Sequence, residues 1–202
     1  MPKQVLRRID RTPGAGLRAV IAAQENVSRQ FESIYSPPED PERVKAECDS
    51  FIFDSFTASD AWELGHFLYA RLLPLSSEKP TLISISVANT NHVLFQTAVG
   101  SGTMPDNDIW VQRKRNVVLR FGTSTFFQHC KYGGDEEKFL AKFQLGPGSD
   151  VGGNYAIHGG GVPIRVAGVE GIVAVVVVSG LKHWEDHGVI VDVINRNYSP
   201  IA

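Results

Sequence analysis

The sequence predicts an α+β protein in three layers, with about five mainly antiparallel strands and helices on both faces of the sheet. Three observations carry that expectation. Residues 81–99 and 161–178 each read as two strands joined by a short link, which antiparallel neighbours allow and parallel ones do not. The run Ile172–Val178 has no polar side chain, as expected of a strand covered on both sides. Helix-spaced apolar residues before and between these pairs supply the covers.

Residues 1–46 read as an N-terminal helical extension and linker. Leu17, Val20, Ile21, Val27, Phe31 and Ile34 recur at helical spacing over 16–34, and SPPEDPER (36–43) breaks any helix. The main domain is expected over 47–202. It opens with a strand at 50–56, carried by Phe51 and Phe53. Thr57-x-x-Asp60 then forms a capping-box pattern ahead of Ala61, Leu64, Gly65, Leu68 and Leu72, one apolar face of a helix. Gly within that helix costs about 1 kcal/mol against Ala, so close packing on the sheet is its expected reason.

The first hairpin follows, 81–88 and 92–99, turning at Asn89-Thr90-Asn91. Asp106 and Asp108 suit the positive start of a helix that carries Trp110, Val117 and Phe121 on one side and stops at Gly122. Shorter helices are expected at 123–132 and 136–143, and 145–154 is a glycine-rich insertion. The second hairpin runs up to Ser179-Gly180, where a closing helix with a polar, acidic first turn begins.

Composition narrows function. With 43% hydrophobic and 21% charged residues among 202, the chain is an ordinary soluble globular one. A net charge of −2 gives no general attraction for nucleic acid or anionic lipid. The apolar run of the last strand is too short to span a membrane. Cys48 and Cys130 form no C-x-x-C pattern and fit reduced thiols in a cytoplasmic protein.

The richest candidate site is the stretch from His158 to His187. Gly159, Gly160 and Gly161 permit close backbone approach and could cradle an anion, although neither a dinucleotide fingerprint nor a P-loop is present. His183 and His187 are spaced i, i+4, which could meet one metal ion, but the order H-W-E-D-H is not H-E-x-x-H. Arg113 and Arg120 share a helix face, and their planar forks suit carboxylate or phosphate. A solvated face, a subunit salt bridge and a ligand clamp all remain readings of those arginines. No Ser/His/Asp order stands out and G-x-S-x-G is absent, so no catalytic residue is assigned.

Several blocks together resemble the uncharacterised family placed in the haem-degrading, GlcG-like (haem-binding protein S-like) superfamily. They are FDSFTASDAWELG (53–65), HVLFQTAVG (92–100), MPDNDIWVQRKRNVVLRFGTST (104–125), HGGGVPIRVAGVEGIVAVVVVSGL (158–181) and EDH (185–187). The resemblance covers about residues 47–195. It implies a profilin-like fold, homodimers or higher homo-oligomers, and, in some members, haem or another small ligand. Its fungal branch is associated with delivery of tail-anchored membrane proteins, which implies cytosolic chaperone or targeting factors as partners. Carried over by position, it marks Asn107, Trp110, Arg113, Asn116, Arg120, His158, Gly159, Gly160, Pro163, Arg165, Ser179, Gly180, Asp186 and His187.

The leading expectation is therefore a non-catalytic, cytoplasmic, homo-oligomeric module with a small-ligand pocket. The pocket would lie between the 158–163 bend, the start of the closing helix and the 110–120 helix. Arg113 and Arg120 would meet an anionic group and His158 would orient it. A haem-binding or haem-degrading protein, with His158 or His187 as axial ligand, is the alternative. An interaction scaffold in membrane-protein targeting is a third reading.

Overall fold

The computed structural model describes residues 4–25, 32–146 and 151–201. Seven strands form one sheet: β1 (Val5–Arg8), β2 (Phe51–Phe53), β3 (Thr81–Val87), β4 (Val93–Val99), β5 (Gly161–Val166), β6 (Ala174–Ser179) and β7 (Tyr198–Pro200). Their order is β4-β3-β6-β5-β2-β1-β7. The two hairpins supply β4-β3 and β6-β5, joined antiparallel through β3-β6. β5-β2 and β2-β1 are parallel, and β7 closes antiparallel on β1.

The sheet is thus larger than the expected five strands. β1 and β7 are the additions. Residues 5–8, which the sequence places in an extension, lie inside the sheet between β2 and β7. Both strands are too short for alternation to reveal them, and β1 pairs with both β2 and β7. The expected helix over 16–34 is α1 (Ala15–Glu25). Val27 and Phe31 lie outside the described residues, and Ile34 sits in non-helical chain. Buried Glu63 accepts from the Gly14 and Gly16 amides, both at 2.6 Å, and pairs with Arg8 at 3.1 Å, which pins α1 to the domain.

α2 (Pro41–Glu47) starts with Asp40 capping Arg43, and α3 (Ala58–Leu72) starts with the Thr57–Asp60 capping box. All five residues of the expected α3 stripe are buried. A Cβ on Gly65 would lie 2.5 Å from the Phe95 ring, which explains a glycine there. α4 (Pro105–Phe121) ends at left-handed Gly122, and α5 (Thr125–Lys131) and α6 (Glu136–Lys142) follow. α7 (His183–Asn197) closes the fold.

The layers follow from which faces are apolar. α3 and α7 bury Leu64, Leu68, Ile190 and Ile194 against Ile83, Ile85, Val176 and Val178 on one face. α4 lays Val111 and Val118 on Leu82, Val175 and Val177 on the other. Among the described residues no helix is long and apolar enough to cross a membrane.

Candidate functional site

The site is built where β5, β6 and the first turn of α7 meet at one end of the sheet. Gly160 adopts φ +112°, a backbone that L side chains resist, and a Cβ there would lie 2.9 Å from the Lys114 Nζ. A Cβ on Gly159 would collide with the His183 carbonyl oxygen and lie 2.9 Å from the Phe126 ring. Only glycine lets the bend seat itself against the start of α7. The expected convergence of these two segments is present.

Two clefts flank His183. The larger, about 430 Å³, opens between Phe126, His129 and Cys130 on one side and His183 and Trp184 on the other, with Glu39 at its rim. The smaller, about 230 Å³, lies between Asn107, Trp110 and Lys114 of α4 and the Ser179-Gly180-Leu181 turn, with His158 beside it.

The floor of the smaller cleft is an ion pair. Lys114 Nζ donates to Asp186 Oδ2 at 2.8 Å and to the Val178 carbonyl at 3.0 Å, with the two side chains 2% and 3% exposed. The Leu181 amide donates to Asp186 Oδ1 at 2.9 Å. Burial pushes the Asp186 carboxyl up, while Lys114 and the amides of Leu181 and Gly180 pull it back.

The imidazoles form a row across both clefts. His129 and His183 ring centres are 4.0 Å apart, and His158 stands 6.4 Å from His183. Burial, then neighbouring His129, His158 and Lys114, hold His183 down to about 4, and burial lowers His129 also. Both rings are therefore neutral near pH 7. The His183 Nδ1 is buried without a hydrogen-bond partner among the described residues. His158 pairs its Nδ1 with Glu136 at 3.3 Å and meets Trp110 edge-on at 5.0 Å. Burial raises the Cys130 thiol to about 11, which keeps it protonated.

Of the sequence-marked residues, Asn107, Trp110, His158, Ser179, Gly180 and Asp186 line the smaller cleft, with Gly159 and Gly160 shaping the bend above it. The others face elsewhere. Arg113 donates to Glu136 and the Tyr155 carbonyl and lies over Trp110. Arg120 reaches the Tyr155 hydroxyl, and Asn116 the Asn154 carbonyl. Arg165 is held by the Gly122 and Gly171 carbonyls, and Pro163 pairs with Val175 inside the sheet. Arg113 and Arg120 thus meet Glu136 and Tyr155, partners that helix spacing cannot show.

His187 is buried in the core, stacked on Phe126 at 4.8 Å. Burial holds its ring down to about 3, with the Cys48 backbone pulling modestly the other way. The i, i+4 spacing of His183 and His187 thus leaves one ring in the core and the other at the clefts. Among the described residues no group of three or more His, Cys, Asp or Glu is arranged to hold a metal ion.

Sequence reasoning missed Lys114 as a site residue, and also His129, Phe126 and Trp184. For Lys114 a signal was present. Val111, Lys114 and Val118 stand at i, i+3 and i+7, one sheet-facing stripe.

Comparison with known proteins agrees with this architecture. The family described as haem degrading protein HbpS-like matches over residues 56–195. A UPF0303 protein of Streptomyces coelicolor is 37% identical over 145 residues, spanning 72% of this chain and 85% of its own. UPF0303 protein YBR137W of Saccharomyces cerevisiae is 37% identical over 170 residues, spanning 83% and 88%. The crystal structure of the Ybr137w protein superposes with a TM-score of 0.64 at 34% identity, covering 85% of this chain and 90% of that one.

Proposed function

The chain belongs to the HbpS-like haem-degrading family, and from that membership we propose that it is a small-ligand-binding module with haem as ligand of the larger cleft. The carrying observation is His183, a neutral imidazole lining a cleft of about 430 Å³. Neutral imidazole is the form that ligates iron. Phe126 and Trp184 give apolar walls, and His129 offers a second imidazole 4.0 Å from the first. The donor set therefore fits haem.

The axial role moves from the two histidines first considered to a third. His187 is closed in the core, and His158 lines the smaller cleft and not the larger one. Haem, when bound, supplies an iron centre for redox or gas chemistry. The chain's part is to present His183, to shield the ligand with Phe126 and Trp184, and to keep both imidazoles uncharged.

The test is titration of the full chain with haemin, followed by absorbance. A saturable Soret shift lost in His183→Ala and retained in His158→Ala supports the proposal, with circular dichroism confirming that both variants fold. Absence of any shift in the wild type, or an unchanged shift in His183→Ala, overturns it. Self-association belongs to the same proposal and rests on the family resemblance. Sedimentation velocity that finds only a 22.2 kDa species removes that part. The targeting-scaffold reading draws no support from the fold or from the comparisons.

A further inference from the structure

The smaller cleft has a chemistry of its own that the haem reading does not use. An ammonium carries three N–H donors. Lys114 spends one on Asp186 and one on the Val178 carbonyl, and the residue lines the cleft. Asp186 takes the Leu181 amide on one oxygen and Lys114 on the other. Asn107, across the cleft, spends its side-chain oxygen on the Met104 amide at 2.8 Å. What it can offer a ligand is therefore its NH₂. Lys114 and Asn107 thus each keep an N–H donor with no acceptor among the described residues, and the Lys114 ammonium is 2% exposed.

We propose that this cleft is a binding site for a small carboxylate, held between the Lys114 ammonium and the Asn107 amide. A carboxylate has four lone-pair positions for such donors and gains charge-assisted hydrogen bonds of about twice the neutral strength. The volume, about 230 Å³, is that of a small acid rather than a drug-sized ligand, whose pockets start at about 300 Å³. The Lys114–Asp186 pair is neutral as a whole, so the ligand is held by the N–H donors close at hand rather than by net charge. Gly160 serves the same site, because any side chain there would press on Lys114 Nζ.

The experiment is calorimetric titration of the full chain with acetate, malonate and inorganic phosphate, repeated on two variants. Asn107→Asp keeps the oxygen that caps α4 but replaces the NH₂ by a carboxylate oxygen. It is expected to weaken acetate and malonate binding by at least about tenfold, the loss of one such hydrogen bond. Lys114→Met with Asp186→Asn removes both charges without stranding either, and is expected to abolish binding while circular dichroism stays native. Saturable binding of acetate or malonate with these losses supports the site. No saturable binding by the wild type, a preference for phosphate, or undiminished binding in Asn107→Asp overturns it. Haemin binding is scored separately through His183→Ala, so failure of one proposal is distinguishable from failure of the other.

Discussion

Replacing Lys114 by Met tests the energetic core of the site. The change removes the ammonium and leaves Asp186, 2% exposed, with a buried charge and no counter-ion. Breaking a buried pair in this way costs about 3–5 kcal/mol, a large share of the roughly 5–15 kcal/mol that holds a domain folded. The cost depends on pH. Burial already raises the Asp186 carboxyl, and loss of Lys114 raises it further. An acid whose folded value lies above its unfolded value of about 3.9 binds more protons when folded, so the fold gains stability as pH falls. The penalty of Lys114→Met is therefore full at high pH and shrinks by about 1.4 kcal/mol for each unit that pH falls between the variant's folded value and the wild type's of about 6, below which both gain alike. Urea unfolding of wild type and variant at about pH 5 and about pH 8 measures it, and the difference cancels the histidine titrations common to both. Adding Asp186→Asn should recover part of the loss at about pH 8 and flatten the pH dependence. A penalty under about 1 kcal/mol that does not change with pH would refute the reasoning, because a solvated surface pair behaves that way.

Two further outcomes follow from the packing. His187 is neutral when folded, with its ring held down to about 3, but takes a proton near 6.5 when unfolded. Its contribution is present above about 6.5 and is lost as pH falls toward the folded value. His187→Leu should reduce the fall in stability between about pH 6.5 and about pH 4, and an unchanged slope would show the ring is not the buried base described. Gly65→Ala gains about 1 kcal/mol of helix propensity, but its Cβ meets the Phe95 ring at 2.5 Å, and such overpacking costs about 1–3 kcal/mol. Thermal unfolding should show net destabilisation that Phe95→Leu relieves, and a raised midpoint for Gly65→Ala would contradict the close contact.

The parts of the fold that were legible in the sequence are those set by local rules. The Thr57–Asp60 cap, the α3 stripe, the Gly122 stop and both hairpins depend on residues a few positions apart. β1 and β7 were not legible because four and three residues give no periodicity, and they form by pairing with each other across the length of the chain. The site divides in the same way. The glycine bend was legible because close approach leaves its mark in residue type. The roles of Arg113 and Arg120 were not, since Glu136 and Tyr155 reach them only through the tertiary fold. Lys114 shows pattern and residue type in conflict, because its position is that of a core residue while lysine is almost never buried unpaired.

The first strand has a practical bearing on how this protein can be trimmed. Val5–Arg8 is the middle member of β2-β1-β7, and the Ile201 amide donates to the Val5 carbonyl at 2.9 Å. A shortened version starting at residue 47 would not shed an appendage. It would remove the slat that joins the last strand to the rest of the sheet, leaving β2 with a raw edge and β7 with nothing to zip onto, an invitation to aggregation.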